Sequence, residues 1–164
     1  WEILNEPSMN EDTLTFFIGS ASEYVTILKE SYDAVKDACP DCSVVQGGAA
    51  GTEQWMTDFW DEVFKNGGAQ YFDIANIHHI SQGDESTLNV KDFKALLDRH
   101  GISKPIWVTE AQVSSEESAR PSAQGALDAG ASKIIFTRLV IGSTGPPLPG
   151  QYSDVYEGMC DICN

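Results

Sequence analysis

The chain has 164 residues, enough for a domain with a sizeable core, and its 41% hydrophobic and 21% charged content is usual for a globular domain. Its 10 basic against 25 acidic residues give a formal net charge of −15, which excludes nucleic acid and anionic membrane surfaces as natural partners and favours neutral or cationic ligands. No apolar run approaches the roughly 20 residues that a bilayer-spanning helix needs.

Residues 1–6 read as a strand that ends on Glu6, followed by Pro7. From about Ser22 to Ala38 the apolar side chains of Tyr24, Ile27, Leu28, Tyr32 and Val35 recur at helical spacing, with Ser22 as the predicted cap and Pro40 as the stop. Ser43 to Gly48 is a second strand with a glycine exit. Thr52 to Lys65 is a second helix, closed by Asn66-Gly67-Gly68. Phe72 to Ile80 is a third strand, and Leu88 to His100 a third helix ending at Gly101. The strand Pro105-Ile106-Trp107-Val108-Thr109-Glu110 precedes a fourth helix over about Ser118 to Ala129, and Lys133 to Val140 is the fifth strand. Residues 142–164, rich in glycine and proline and carrying two cysteines, are expected to be an irregular tail after a domain spanning 1–141.

Strand–helix alternation at a period of roughly 30 residues implies parallel strands with crossover helices. The spacing fits a (β/α) barrel or an open doubly wound sheet. No glycine-rich nucleotide loop follows any strand, which weakens the nucleotide-binding form of the open sheet. In either architecture chemistry gathers at the carboxyl ends of the strands, where Glu6, Glu110 and the pair His78-His79 fall.

A carboxylate at the end of an apolar strand is costly unless it sits in a cleft or is used. Two in the same context suggest an acid and a nucleophile acting on one bond. The four cysteines form two C-x-x-C pairs, Cys39/Cys42 and Cys160/Cys163, which allow a tetrathiolate zinc site, local disulfides or free thiols. Most of the chain separates the two pairs, unlike a compact zinc ribbon. A zinc hydrolase built on His78 and His79 is disfavoured, because adjacent strand residues point to opposite faces.

Three of these stretches together resemble a known group. Trp1-Glu2-Ile3-Leu4-Asn5-Glu6-Pro7 resembles the W-E-x-x-N-E-P motif at the end of the fourth strand of the large clan of retaining (β/α)8-barrel glycoside hydrolases, which includes cellulases, mannanases and β-xylosidase-like enzymes. Lys104-Pro105-Ile106-Trp107-Val108-Thr109-Glu110 resembles the clan's seventh-strand motif, and Asp73-Ile74-Ala75-Asn76-Ile77-His78 its sixth strand. The resemblance implies an α/β fold forming part of a (β/α)8 (TIM) barrel, strands four to eight. It implies hydrolysis of a glycosidic bond in an oligo- or polysaccharide by double displacement, with no cofactor. Glu6 would be the general acid/base and Glu110 the nucleophile; Asn5 would bind the sugar's 2-hydroxyl and His78 would line the cleft. Glu6 is expected to be the more desolvated carboxyl and to hold its proton, with Glu110 ionised.

Departures from the clan's pattern are also visible. Ile80 stands where the clan has a tyrosine, with His79 as a substitute to consider. Arg138 lies near the end of the fifth strand, placed either to bind an acidic sugar or to pair with a carboxylate. Trp107 neighbours the nucleophile strand with its face left open, and Trp55 and Trp60 read as helix core. Five strands would leave two open edges, so the chain is expected to be a piece of a longer enzyme, to be complemented by another chain, or to self-associate. A catalytically inactive carbohydrate-binding or structural module derived from such a barrel is the competing reading. Secretion is favoured by analogy with polysaccharide-degrading enzymes.

Overall fold

The computed structural model describes residues 1–11, 14–80 and 82–137; the expected tail, with Cys160 and Cys163, and Arg138 lie outside the described residues. Among the described residues the strands are β1 (Glu2–Ile3), β2 (Asn10–Glu11), β3 (Leu14–Thr15), β4 (Val45–Gln46), β5 (Ala75–His79), β6 (Ile106–Ala111) and β7 (Ala131–Phe136). The helices are α1 (Ala21–Ala38), α2 (Gln54–Lys65), α3 (Val90–Arg99) and α4 (Glu116–Asp128).

β1 pairs parallel with β4, and β5, β6 and β7 form a parallel sheet in that order. Two parallel bridges, Val45 to Ile74 and Ala49 to Ile77, join β4 to β5. The five main strands therefore run parallel in chain order, each reached through a helix. The hairpin β2–β3 is antiparallel and stands apart. It was not foreseen, since Asn10-Glu11 and Leu14-Thr15 lack the glycine-bearing turn signal of a two-residue hairpin.

Side-chain alternation along the strands separates the two faces of the wall. Ala75 and Ile77 of β5 and Ile106 and Val108 of β6 enter one hydrophobic cluster with Tyr24 and Leu28 of α1, Trp60, Val63 and Phe64 of α2, Phe93, Leu96 and Leu97 of α3, and Ala126 of α4. Each fully buried large side chain of this kind contributes about 1.5–3 kcal/mol. All four helices thus cover the same face, as in a barrel wall; a doubly wound sheet would carry helices on both. The alternate residues Asn76 and His78 of β5, with Thr109 of β6, are polar and meet one another on the opposite face.

The helix ends follow local chemistry. α1 begins one turn-residue earlier than its predicted cap: Ser20 accepts from the Glu23 N–H while Glu23 reaches back to the Ser20 N–H, a capping box. α2 stops at Asn66, and Gly67 takes a left-handed φ of 82°. α3 starts from Asn89, whose buried side chain donates to the His78 and Gln82 carbonyls and accepts from the Asp84 N–H. α4 starts at Glu116 rather than Ser118, capped by Ser115, so Pro121 lies beyond the first turn of the helix. Trp60 is core as expected, whereas Trp55 on the same helix is 40% exposed.

Candidate active site

The β1 segment makes only a two-residue ladder, shorter than expected, because the chain turns sharply after Ile3. Leu4 and Glu6 both take left-handed backbone angles, φ 65° and 40°, which side chains rarely adopt. The turn is held by a hydrogen bond from the Met9 N–H to the Glu6 carbonyl at 2.8 Å. The buried Tyr24 hydroxyl ties the turn to the end of β4, donating to the Ile3 carbonyl and accepting from the Gly47 N–H at 2.9 Å. Backbone strain at a polar strand end marks a place that the surrounding fold over-determines, and such places cluster at functional sites.

The turn delivers Glu6 to His78. Glu6 is 4% exposed and its Oε1 lies 2.8 Å from His78 Nδ1. Glu110 Oε1 approaches the same ring nitrogen at 3.9 Å. The two carboxylate oxygens therefore cannot be farther apart than the sum of these distances. A bulge in the β5–β6 register between Ile77 and His78 pairs His78 with Glu110, bringing the two onto one side. Glu110 is the more open of the two, its side chain being 33% exposed.

The other ring nitrogen, Nε2, lies 2.9 Å from the Thr109 hydroxyl and 3.6 Å from Glu2 Oε1. Asn76 connects these groups. Its Nδ2 donates to Glu2 Oε1 at 3.0 Å and to the Thr109 hydroxyl at 2.7 Å, while its Oδ1 accepts the Thr109 N–H. Three carboxylates from two strand ends thus surround one fully buried histidine.

The electrostatics follow from this crowding. Burial alone would strip the proton from His78, but the nearby carboxylate of Glu2 at 3.6 Å, the hydrogen bond to Glu6 and the charge of Glu110 raise its pKa to about 9. Glu110 is pushed above the ordinary carboxylate range, by burial first and then by the like charges of Glu6 and Glu2, with His78 opposing them. Glu6 is the more buried carboxyl, as expected, while an upward push on the proton falls on Glu110.

The remaining expected site residues are dispersed. Asn5 is half-buried in the strained turn and makes no side-chain hydrogen bond among the described residues. His79 is neither exposed nor directed at the nucleophile: 1% exposed, it sets Nδ1 2.8 Å from the Gln112 carbonyl, on the face opposite His78. Trp107 lies under the Lys133 ammonium, which is 3.8 Å from its ring centroid, rather than among the carboxylates. The zinc option is corrected, because Cys39 and Cys42 are joined in a disulfide and so offer no thiolates. Three groups escaped the sequence reading as site members: Glu2, Asn76 and Thr109. Their signal was the period-two placement of Asn76 with His78, and of Thr109 beside Glu110, on strands whose neighbours are apolar.

Parallel strands wrapped on one face by helices, with a carboxylate and histidine cluster at their carboxyl ends, form an α/β wall of the kind found in part of a TIM barrel. Solved structures share this fold. A GH128 (subgroup VI) exo-beta-1,3-glucanase from Aureobasidium namibiae aligns with 93% of this chain and 63% of its own length at TM-score 0.61 and 15% identity. An endo-1,4-beta-mannanase from Rhizomucor miehei covers 84% of this chain and 44% of its own length, with TM-score 0.59 and 18% identity. A glycoside hydrolase family 44 endoglucanase from Clostridium acetobutylium ATCC 824 covers 96% and 44%, with TM-score 0.60 and 12% identity. At such identities the likeness is one of fold, and the chain spans less than two thirds of each of these relatives. The glycosyl hydrolase catalytic core model matches residues 4–132, and the chain belongs to that family. No curated protein matches it.

Proposed function

We propose that this chain is the catalytic part of a retaining O-glycoside hydrolase acting on an oligo- or polysaccharide, with β1, β4, β5, β6 and β7 in barrel positions four to eight. The observation that carries this reading is the convergence of Glu6 and Glu110 on one ring nitrogen of His78. Double displacement needs two carboxyl groups about 5–5.5 Å apart on either side of one glycosidic bond. In the first step a Glu110 oxygen bonds to the anomeric carbon as the bond to the leaving oxygen breaks, and Glu6 gives its proton to that oxygen. In the second, water replaces Glu110 at the anomeric carbon and returns a proton to Glu6.

The resemblance and the family support these roles, and the partial exposure of Glu110 leaves a substrate-facing edge. Glu110 must be ionised to attack, so its raised pKa places the acid limb of kcat/KM above the ordinary carboxylate value of 4.5. Asn5 is assigned to the 2-hydroxyl of the sugar, beside the acid.

Incubating the full-length enzyme with a 2-deoxy-2-fluoroglycoside and mapping the adduct by mass spectrometry tests the assignment. A covalent sugar on Glu110 is expected. An adduct on another residue of an active enzyme would refute it. Oligosaccharide binding by a well-folded protein without turnover would favour the inactive carbohydrate-binding module instead.

A further inference from the structure

Glu2 is the one carboxylate of the cluster for which a two-glutamate mechanism has no use, yet it is as carefully held as the others. Its Oε1 accepts from Asn76 Nδ2 at 3.0 Å and from the Gly48 N–H at 3.3 Å, and it faces His78 Nε2 at 3.6 Å. These donors come from β5 and from the exit of β4, so Glu2 is anchored from two strands other than its own.

The histidine has no freedom to turn away. His78 is fully buried, and a Cβ placed on Gly48 would come within 2.0 Å of Nε2. The Thr109 hydroxyl holds the same edge of the ring and is itself held by Asn76. The titratable groups facing it are Glu2 and Glu6 from the β1 segment and Glu110 from β6; β4 contributes Gly48 and β5 the uncharged Asn76.

We propose that Glu2 is a positioning residue, resting on the glycosidase reading above: from the Nε2 side it keeps His78 as an imidazolium, and that cation holds Glu6 in place beside Glu110. A buried imidazolium is stable only against nearby anions, since desolvation otherwise favours the neutral ring. With Glu2 present, Nδ1–H is donated to Glu6 whatever the substrate does at Glu110. When Glu6 gives up its proton in the first step, the neighbouring imidazolium offsets the new charge. Burial works against the charge on His78, and the facing carboxylate of Glu2 and the hydrogen-bonded carboxylate of Glu6 restore it.

The test uses Glu2→Gln, whose side-chain carbonyl still accepts from Asn76 and Gly48 but carries no charge. In protein labelled at its 3 histidines, with the His78 signal assigned through His78→Gln, the titration midpoint of His78 is followed by NMR. The expected change is a fall of about 1–2 pH units, with the alkaline limb of kcat moving acidward by the same amount and KM little altered. Glu2→Asp, which keeps the charge, is expected to stay within about half a unit of the parent. A folded Glu2→Gln protein with an unchanged midpoint overturns the inference, as does a Glu2→Asp midpoint no higher than that of Glu2→Gln. The two readings fail separately. A parent protein with no turnover but a midpoint that falls in Glu2→Gln loses the glycosidase reading and keeps the Glu2–His78 coupling; an active enzyme with an insensitive midpoint does the reverse.

Discussion

The two ends of the parallel sheet treat charge in opposite ways. At the amino end Asp73 is matched by a partner of opposite sign: Lys36 lies 2.8 Å from its carboxylate, the Val44 N–H donates to it at 2.8 Å and the Tyr32 hydroxyl at 3.5 Å. Burial of Asp73 is outweighed there, and its pKa lies below the usual value. At the carboxyl end three carboxylates share one histidine, and Glu110 is raised. The amino end is arranged for stability, whereas the carboxyl end gathers negative charge, which the mechanism proposed above would turn on a positively polarised sugar carbon.

The largest expected break in this contrast is at the carboxyl end. Glu110→Ala and Glu6→Ala are each expected to lower turnover of the full-length enzyme on aryl glycosides by about a thousandfold or more; thermal unfolding stays level or moves upward in Glu110→Ala as a like charge is removed, and falls in Glu6→Ala because buried His78 loses its 2.8 Å partner. Near-parental turnover in either variant would end the assignment. Next in size is the pH dependence of stability through His78. Its folded pKa, about 9, exceeds the ordinary value of 6.5, so its contribution is complete below about 6.5 and disappears as pH rises through about 9. On the order of 3 kcal/mol is at stake, read as the difference in urea unfolding across that window between the parent and His78→Gln.

The amino end gives smaller effects, confined to stability. Asp73→Ala leaves the Val44 N–H without its acceptor and Lys36 with only the Cys42 carbonyl, and is expected to cost about 1–3 kcal/mol in urea unfolding, with kcat unchanged. A fall in kcat with stability intact would erase the contrast between the ends. Smallest is the disulfide near the same end. Replacing Cys39 and Cys42 by serine opens a very short loop and should cost at most about 2 kcal/mol, measured as the shift of the urea midpoint.

How legible these features were depended on the range of the forces behind them. The strand–helix alternation was readable because apolar side chains repeat at 3.6 or 2 residues, and Tyr24, Leu28, Phe93 and Leu97 are buried as that repeat requires. Strand lengths were not: residues 1–6 read as one apolar run, but the left-handed angles at Leu4 and Glu6 are imposed by packing against Tyr24 and Gly47, which lie far along the chain. Ser20 was a missed cap although Glu23 completes its box; Ser22 offered a similar hydroxyl two residues later. The pairing of Glu6 with Glu110 was reachable through the motifs. The share of Glu2, Asn76 and Thr109 was not, because each contact joins two strands far apart in sequence, and the contacts together span three. That His79 faces away from His78 follows from strand alternation, but its seat on the Gln112 carbonyl and the cover of Trp107 by Lys133 are long-range contacts that a short window does not reveal.

The left-handed backbone of Glu6 sets selection for endurance against selection for chemistry. At φ 40° any L side chain carries of order 1–3 kcal/mol of conformational strain, and glycine carries almost none. A population of variants sorted by heat alone would weigh that relief against the 2.8 Å contact between Glu6 and buried His78, which glycine at position 6 would lose. On the glycosidase reading proposed above, sorting by sugar release would keep a glutamate there whichever way that balance falls.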